Sequence, residues 1–192
     1  MLIVPGITRP YRIMAFDPGT DTLGVAVIEV DPVTTKGVIT VATTYSGKLL
    51  KDKYPDYEAI HGERAARLYA HFNNICSLLD EHQPNTVISE SPYMGLFPQA
   101  YAALVECLNN IHQALNHYDS YLPLYTVDPP TAKKAVGVSG RGSNKEEVMN
   151  AVLSLDSLTF GDYVNLSELD EHSCDAIAVG YHQYKQVIGN TS

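Results

Sequence analysis

The chain has 192 residues, 45% of them hydrophobic, with 22 acidic against 13 basic side chains and a net charge of −9. That length suits one domain, residues 1–192, and would leave two cramped; no apolar run approaches the ~20 residues of a bilayer span, and Met1–Val4 is too short for a secretory h-region, so a soluble, cytoplasmic protein without a membrane partner is expected. The three cysteines, Cys76, Cys107 and Cys174, are isolated and lack zinc-type spacing, which argues against a structural metal and for small core residues in a reducing compartment.

Residues 1–10 read as a loose arm. Arg12–Phe16 is an apolar run suited to a strand covered on both faces; it ends on Asp17, and Pro18-Gly19 stops it. Asp17 is thereby placed at the rim of a sheet, where ligands of open α/β sheets bind; the plainer alternative is a turn-starting Asp. Leu23–Val30 and Val38–Tyr45 are β-forming, and the three strands most simply form an antiparallel meander. Ser46–Asp56, with Lys48, Lys51 and Lys53, reads as a solvated loop, and Tyr57–His82 as one long amphipathic helix. Thr86–Glu90 is a short strand that also ends on a carboxylate. A helix through Ala100–Leu115 and a buried-type strand at Leu122–Val127 follow, and helical crossovers imply parallel pairing for this half. Pro130–Val136 begins a helix that the glycines at 137, 140 and 142 stop; Ser143 and Glu146 have capping-box spacing for another helix. Asp156–Leu169 lacks periodicity and reads as loop or lid, and Asp170–Val187 is the final helix.

Asp17 and Glu90 end strands expected to be neighbours, and His172 and Asp175, at i and i+3, share a helix face. Three carboxylates and an imidazole at one rim repel unless a cation lies among them. The chemistry that needs such a cluster is metal-assisted phosphodiester hydrolysis, with two divalent ions roughly 3.5–4 Å apart. Carboxylates suit Mg²⁺; the imidazole either ligates, which favours Mn²⁺, or shuttles a proton. The other histidines, at 61, 71, 82, 112, 117 and 182, have no comparable partners in the sequence and read as surface or packing residues.

These residues carry a family resemblance. Phe16-Asp17-Pro18-Gly19-Thr20, with Gly24 after it, resembles the first motif of the RuvC-type Holliday junction resolvases of the ribonuclease H-like superfamily. Ile88–Met94 is similar to their second, Val127–Val148 with Lys133, Gly137 and Lys145 to their basic loop and helix, and His172-x-x-Asp175-Ala176-Ile177-Ala178 to their last. Many members carry an acid where His172 stands, others His. The resemblance implies a ribonuclease H-like α/β fold, a mixed five-stranded sheet flanked by helices, in a homodimeric endonuclease acting on branched DNA, chiefly four-way junctions. Asp17, Glu90, His172 and Asp175 would hold two Mg²⁺ or Mn²⁺ ions per active site. Lys145 would lie near the scissile phosphate, and Tyr93 would stack in the junction centre.

Net acidity alone argues against nucleic acid, but between Pro129 and Lys145 stand Lys133, Lys134, Arg141 and Lys145 and no acid. These basics flank a glycine loop at a helix start, a phosphate-type site, although Ser143 after Gly142 departs from a Walker A loop. Two alternatives stay open: a module that binds branched DNA without cutting it, and a phosphotransferase of the actin and sugar-kinase class. The second needs a duplicated domain, and this chain has no internal repeat.

Overall fold

The structure is a computed structural model and describes residues 9–94, 97–139 and 144–189. Ile13, Met14, Ala15 and Phe16 of β1 (Tyr11–Pro18) are fully buried, as expected for a strand covered on both faces. β2 (Thr22–Val30) and β3 (Gly37–Ser46) continue from it as an antiparallel meander. β4 (Thr86–Glu90) pairs parallel to the other edge of β1, and β5 (Leu124–Val127) parallel to β4. A short β6 (Leu158–Phe160) adds parallel to β3, so the sheet has six strands in the order β5-β4-β1-β2-β3-β6. The helices are α1 (Gly47–Lys51), α2 (Pro55–His61), α3 (Glu63–His82), α4 (Pro98–Tyr118), α5 (Pro129–Ala135), α6 (Lys145–Leu153) and α7 (Glu171–Gly189).

The two-residue alternation of the strands divides the core. Ile13, Ala15, Ala26, Ile28 and Ile88 pack with Cys174, Ile177 and Ala178 of α7 and with Val148 and Val152 of α6. Met14, Phe16, Val25, Val27 and Val87 pack on the opposite face with Ile75, Leu79, Ile111 and Leu115 of α3 and α4. Asp17 continues the Ile13–Ala15 series and Glu90 continues from Ile88. Both rim acids therefore emerge on the α7 face, and the Phe16–Ser89 register makes them neighbours.

Small residues let α7 lie close on the sheet. A Cβ on Gly180 would stand 3.1 Å from that of Ala15, and one on Gly24 would stand 2.2 Å from the carbonyl oxygen of His172. Gly24, opposite Asp17 in the β1–β2 ladder, is the seat on which the first turn of α7 rests.

Four expectations are corrected. The mixed sheet gains a sixth strand because part of the expected loop or lid at 156–169 pairs with the β3 edge, and Leu166–Glu168 forms a 3₁₀ turn. The segment 46–56 is not a solvated loop: it carries α1 and the start of α2, and Lys51 is buried with its ammonium 2.8 Å from Glu58. The helix expected over 57–82 is broken at Gly62, whose φ of 84° is costly for other residues and separates α2 from α3. α6 is capped by the Asn144 side chain, which accepts from the Glu147 amide at 2.8 Å; the expected cap Ser143 lies outside the described residues, as do residues 1–8 of the expected N-terminal arm.

Candidate active site

Four side chains converge where β1 and β4 end against the first turn of α7. Glu90 is largely buried, and that burial, with the charges of Asp17 and Asp175 beside it, pushes its pKa up to about 8. Asp175 is raised to about 6, first by burial and then by Asp17. Lys133 of α5 is close enough to pull both carboxyls back toward ionisation, while Asp128, the N-cap of α5, adds to the negative field on Glu90. The expected convergence of Asp17, Glu90 and Asp175 is present as an electrostatic cluster whose negative charge Lys133 only partly balances.

His172 reaches this cluster from α7. Its Nδ1–H donates to Asp17 Oδ2 at 2.8 Å, and its Nε2 lies 3.0 Å from the Thr22 hydroxyl. The Asp17 carboxylate holds the imidazole pKa above its usual value. The helix start is itself tied down: the Ser173 amide donates to Asp170 Oδ1 at 2.9 Å, the Asp170 amide donates to Ser173 Oγ at 2.9 Å, and Thr44 of β3 donates to the same Asp170 oxygen at 2.6 Å. This is a capping box anchored to the sheet.

The residues expected to contact DNA are placed differently from one another. Lys133 is half-buried and faces the acids, while Lys134 is exposed. Lys145, at the first position of α6, is exposed and ion-paired with Glu171, whose other oxygen is 3.6 Å from His172 Nε2. Arg141 lies outside the described residues. Tyr93 is 62% exposed on the loop after β4, with Met94 and Phe97 also exposed, so it does not cap the core.

Sequence reasoning missed Thr22, Thr44, Asp170 and Glu171. Only the Asp170/Ser173 spacing offered a local signal; the hydroxyl contacts span 126 and 150 residues. It also missed that buried His71 of α3 donates Nε2–H to the Thr20 carbonyl at 3.3 Å, supporting the turn after Asp17 from the opposite face.

A divalent cation fits the donor chemistry of the cluster. Its carboxylates are hard oxygen donors, and the upward shifts of Glu90 and Asp175 reflect burial first and then the neighbouring negative charges, both of which a bound cation would offset. Among the described residues no three His, Cys, Asp or Glu side chains stand close enough together to hold a metal ion as placed; Mg²⁺, which retains several waters and takes few protein ligands, needs fewer direct ligands than that.

No protein-family model matches the sequence, and no curated protein matches it. Solved structures do share its fold. Thermus thermophilus RuvC aligns with a TM-score of 0.66 at 19% identity over 93% of this chain and 96% of that one. The yeast mitochondrial Holliday junction resolvase Ydc2 aligns at 0.62 and 12% identity, over 97% and 83%. The Fowlpox virus resolvase, in complex with substrate Holliday junction DNA, aligns at 0.55 and 12% identity, over 92% and 99%. The likeness is one of fold, a RuvC-like α/β fold.

Proposed function

We propose that this chain, which has the RuvC-like fold, is a divalent-metal-dependent endonuclease that resolves four-way DNA junctions, acting as a homodimer through two symmetric cuts. The observation that carries this reading is the convergence of Asp17, Glu90, Asp175 and His172 on one face of the sheet rim. The charge felt among Asp17, Glu90 and Asp175, and the hydrogen bond from His172 to Asp17, support it.

Asp17, Glu90 and Asp175 would hold Mg²⁺ or Mn²⁺, two ions per site, which when bound supply an activated water and stabilise the leaving oxygen. His172, with both ring nitrogens hydrogen-bonded, would act beside them through Asp17 and would have to release Thr22 to ligate an ion itself. The protein's own groups do the rest. The buried, paired strands β1 and β4 place Asp17 and Glu90 side by side at the rim. His172 holds the Asp17 carboxylate by a charge-assisted bond and can keep or release a proton at Nε2. Lys133 offsets part of the acidic field that would otherwise repel a phosphate. Lys145 can exchange Glu171 for a DNA phosphate at little cost, because an exposed ion pair is worth only ~0–1 kcal/mol. Tyr93, exposed beyond Glu90, offers its ring to an unstacked base.

The deciding experiment incubates the protein with an end-labelled four-way junction, with and without Mg²⁺ or Mn²⁺. Symmetric nicks that require the metal are expected. Binding without cleavage under every metal condition would leave a non-cutting junction-binding module as the better description.

A further inference from the structure

We propose that Thr22 is a positioning residue for His172: its hydroxyl holds the imidazole from the side opposite Asp17, so that the ring, and the carboxylate it grips, are fixed in one orientation. The inference rests on the endonuclease reading for its catalytic consequence and on geometry alone for the interaction.

The ring is pinned at both nitrogens, by Asp17 Oδ2 at 2.8 Å and by Thr22 Oγ at 3.0 Å. A carboxylate only accepts, so Nδ1 carries the hydrogen. In the neutral ring Nε2 is then bare and must accept, and the Thr22 hydroxyl donates to it. If the ring gains a proton at Nε2, the same hydroxyl turns and accepts. A hydroxyl can serve both states without heavy-atom movement, which neither a carbonyl nor an ammonium can do.

Thr22 is well built for this task. It is the first residue of β2, in register with Ser46 of β3 and two residues before the Gly24 seat of α7, so the strand that carries the helix also carries the hydroxyl. Its branched side chain restricts χ1, which aims the oxygen. Glu171 Oε1 lies 3.6 Å from Nε2, beyond hydrogen-bond reach. Without the hydroxyl the ring would be held at one end only and could pivot about its bond to Asp17.

The test uses Thr22→Val, which keeps the β-branched shape, and Thr22→Ser, which restores a hydroxyl. In the metal-free, DNA-free protein, long-range ¹H–¹⁵N spectra report the His172 nitrogens, assigned by their loss in His172→Gln, at a pH that keeps the ring neutral. The wild type is expected to show the Nδ1–H tautomer with a hydrogen-bonded Nε2. Thr22→Val should shift the Nε2 resonance downfield, toward an unbonded nitrogen, and Thr22→Ser should return it. In junction cleavage, Thr22→Val should lower kcat by about tenfold to a hundredfold, the usual range for partners of a metal-site ligand, with KM unchanged, and Thr22→Ser should recover most of the loss. An Nε2 resonance unchanged in Thr22→Val overturns the proposal, as does an unchanged kcat in a protein that cuts. If the resonance moves as expected while the wild type itself cuts no junction, the endonuclease reading fails and the Thr22–His172 interaction stands.

Discussion

Asp17 occupies a position where three forces meet. β1 delivers it rigidly to the rim, Glu90 and Asp175 feel its charge, and His172 takes its Oδ2. Asp17→Asn keeps the shape but removes a hard donor and a negative charge. Cleavage should fall by more than about a hundredfold, since changes even to ligand partners reach that size, while gel-shift affinity for a junction is retained or improved. Loss of both in a folded protein would argue against a ligand role. The neighbouring acids set the pH behaviour of the metal-free protein. Glu90 rises from 4.5 to about 8 and Asp175 from 3.8 to about 6, so the folded state holds their protons more tightly than the unfolded chain does. Their contribution to stability is complete below the unfolded values and is lost as pH climbs through the folded ones. Buried His71, depressed by desolvation, acts oppositely and costs stability only as pH falls below 6.5. Below pH 6.5 the His71 effect opposes this loss, so thermal melts without metal should weaken most clearly between about pH 6.5 and pH 8, and Mg²⁺ should raise Tm more at the upper end, where it replaces protons already leaving. A Tm gain from Mg²⁺ that is equal across this range would count against the carboxylates as its site.

Among the elements, α7 matters most, because it brings His172 and Asp175 to strands distant in sequence. Its seat is Gly24 and its clamp is the Thr44–Asp170–Ser173 network. Gly24→Ala would drive a Cβ to 2.2 Å from the His172 carbonyl oxygen, a backbone atom that cannot move alone. The helix start must lift, at about 1–3 kcal/mol for overpacking. Calorimetry should show a lower Tm, and cleavage should fall further than the stability loss explains. A variant with wild-type activity would mean that the register of α7 on β2 is not critical. On the opposite flank, α5 presents Lys133 to the site. If its ammonium meets a DNA phosphate, Lys133→Ala should make the plot of log K against log salt shallower by about 0.9 for each phosphate left without its lysine. An unchanged slope would assign Lys133 to balancing Glu90 and Asp175 alone.

At the scale of the whole molecule, one chain carries one set of Asp17, Glu90, His172 and Asp175, and on the proposed endonuclease reading that site would process one phosphodiester at a time. A four-way junction needs two cuts, and a two-fold dimer matches its approximate symmetry. A supercoiled cruciform plasmid should pass directly to linear product in a single binding event. Mixing wild type with excess Asp17→Asn protein, with subunit exchange verified, should shift the product to nicked circles. Linear product in proportion to the wild-type protein alone would point to a nickase without paired sites.

Much of this architecture was legible in the sequence because it depends on local physics. Apolar runs stopped by Pro18-Gly19 and Ser91-Pro92 place two acids at strand ends, and i, i+3 spacing aligns His172 with Asp175. The order of strands and crossover helices determines the parallel pairing of β4 with β1 and of β5 with β4. The tertiary structure decided what depends on distant partners. β6 is only three residues long, too short to announce itself by alternation, and exists because the β3 edge was open to it. Lys51 looked solvated among polar neighbours and is buried because Glu58 folds back onto it. Thr22 and Thr44 are ordinary strand residues until α7, more than a hundred residues later, sets His172 and Asp170 against them. Local sequence patterns report burial period and turn chemistry; which hydroxyl meets which imidazole is settled only when the helix seats on Gly24.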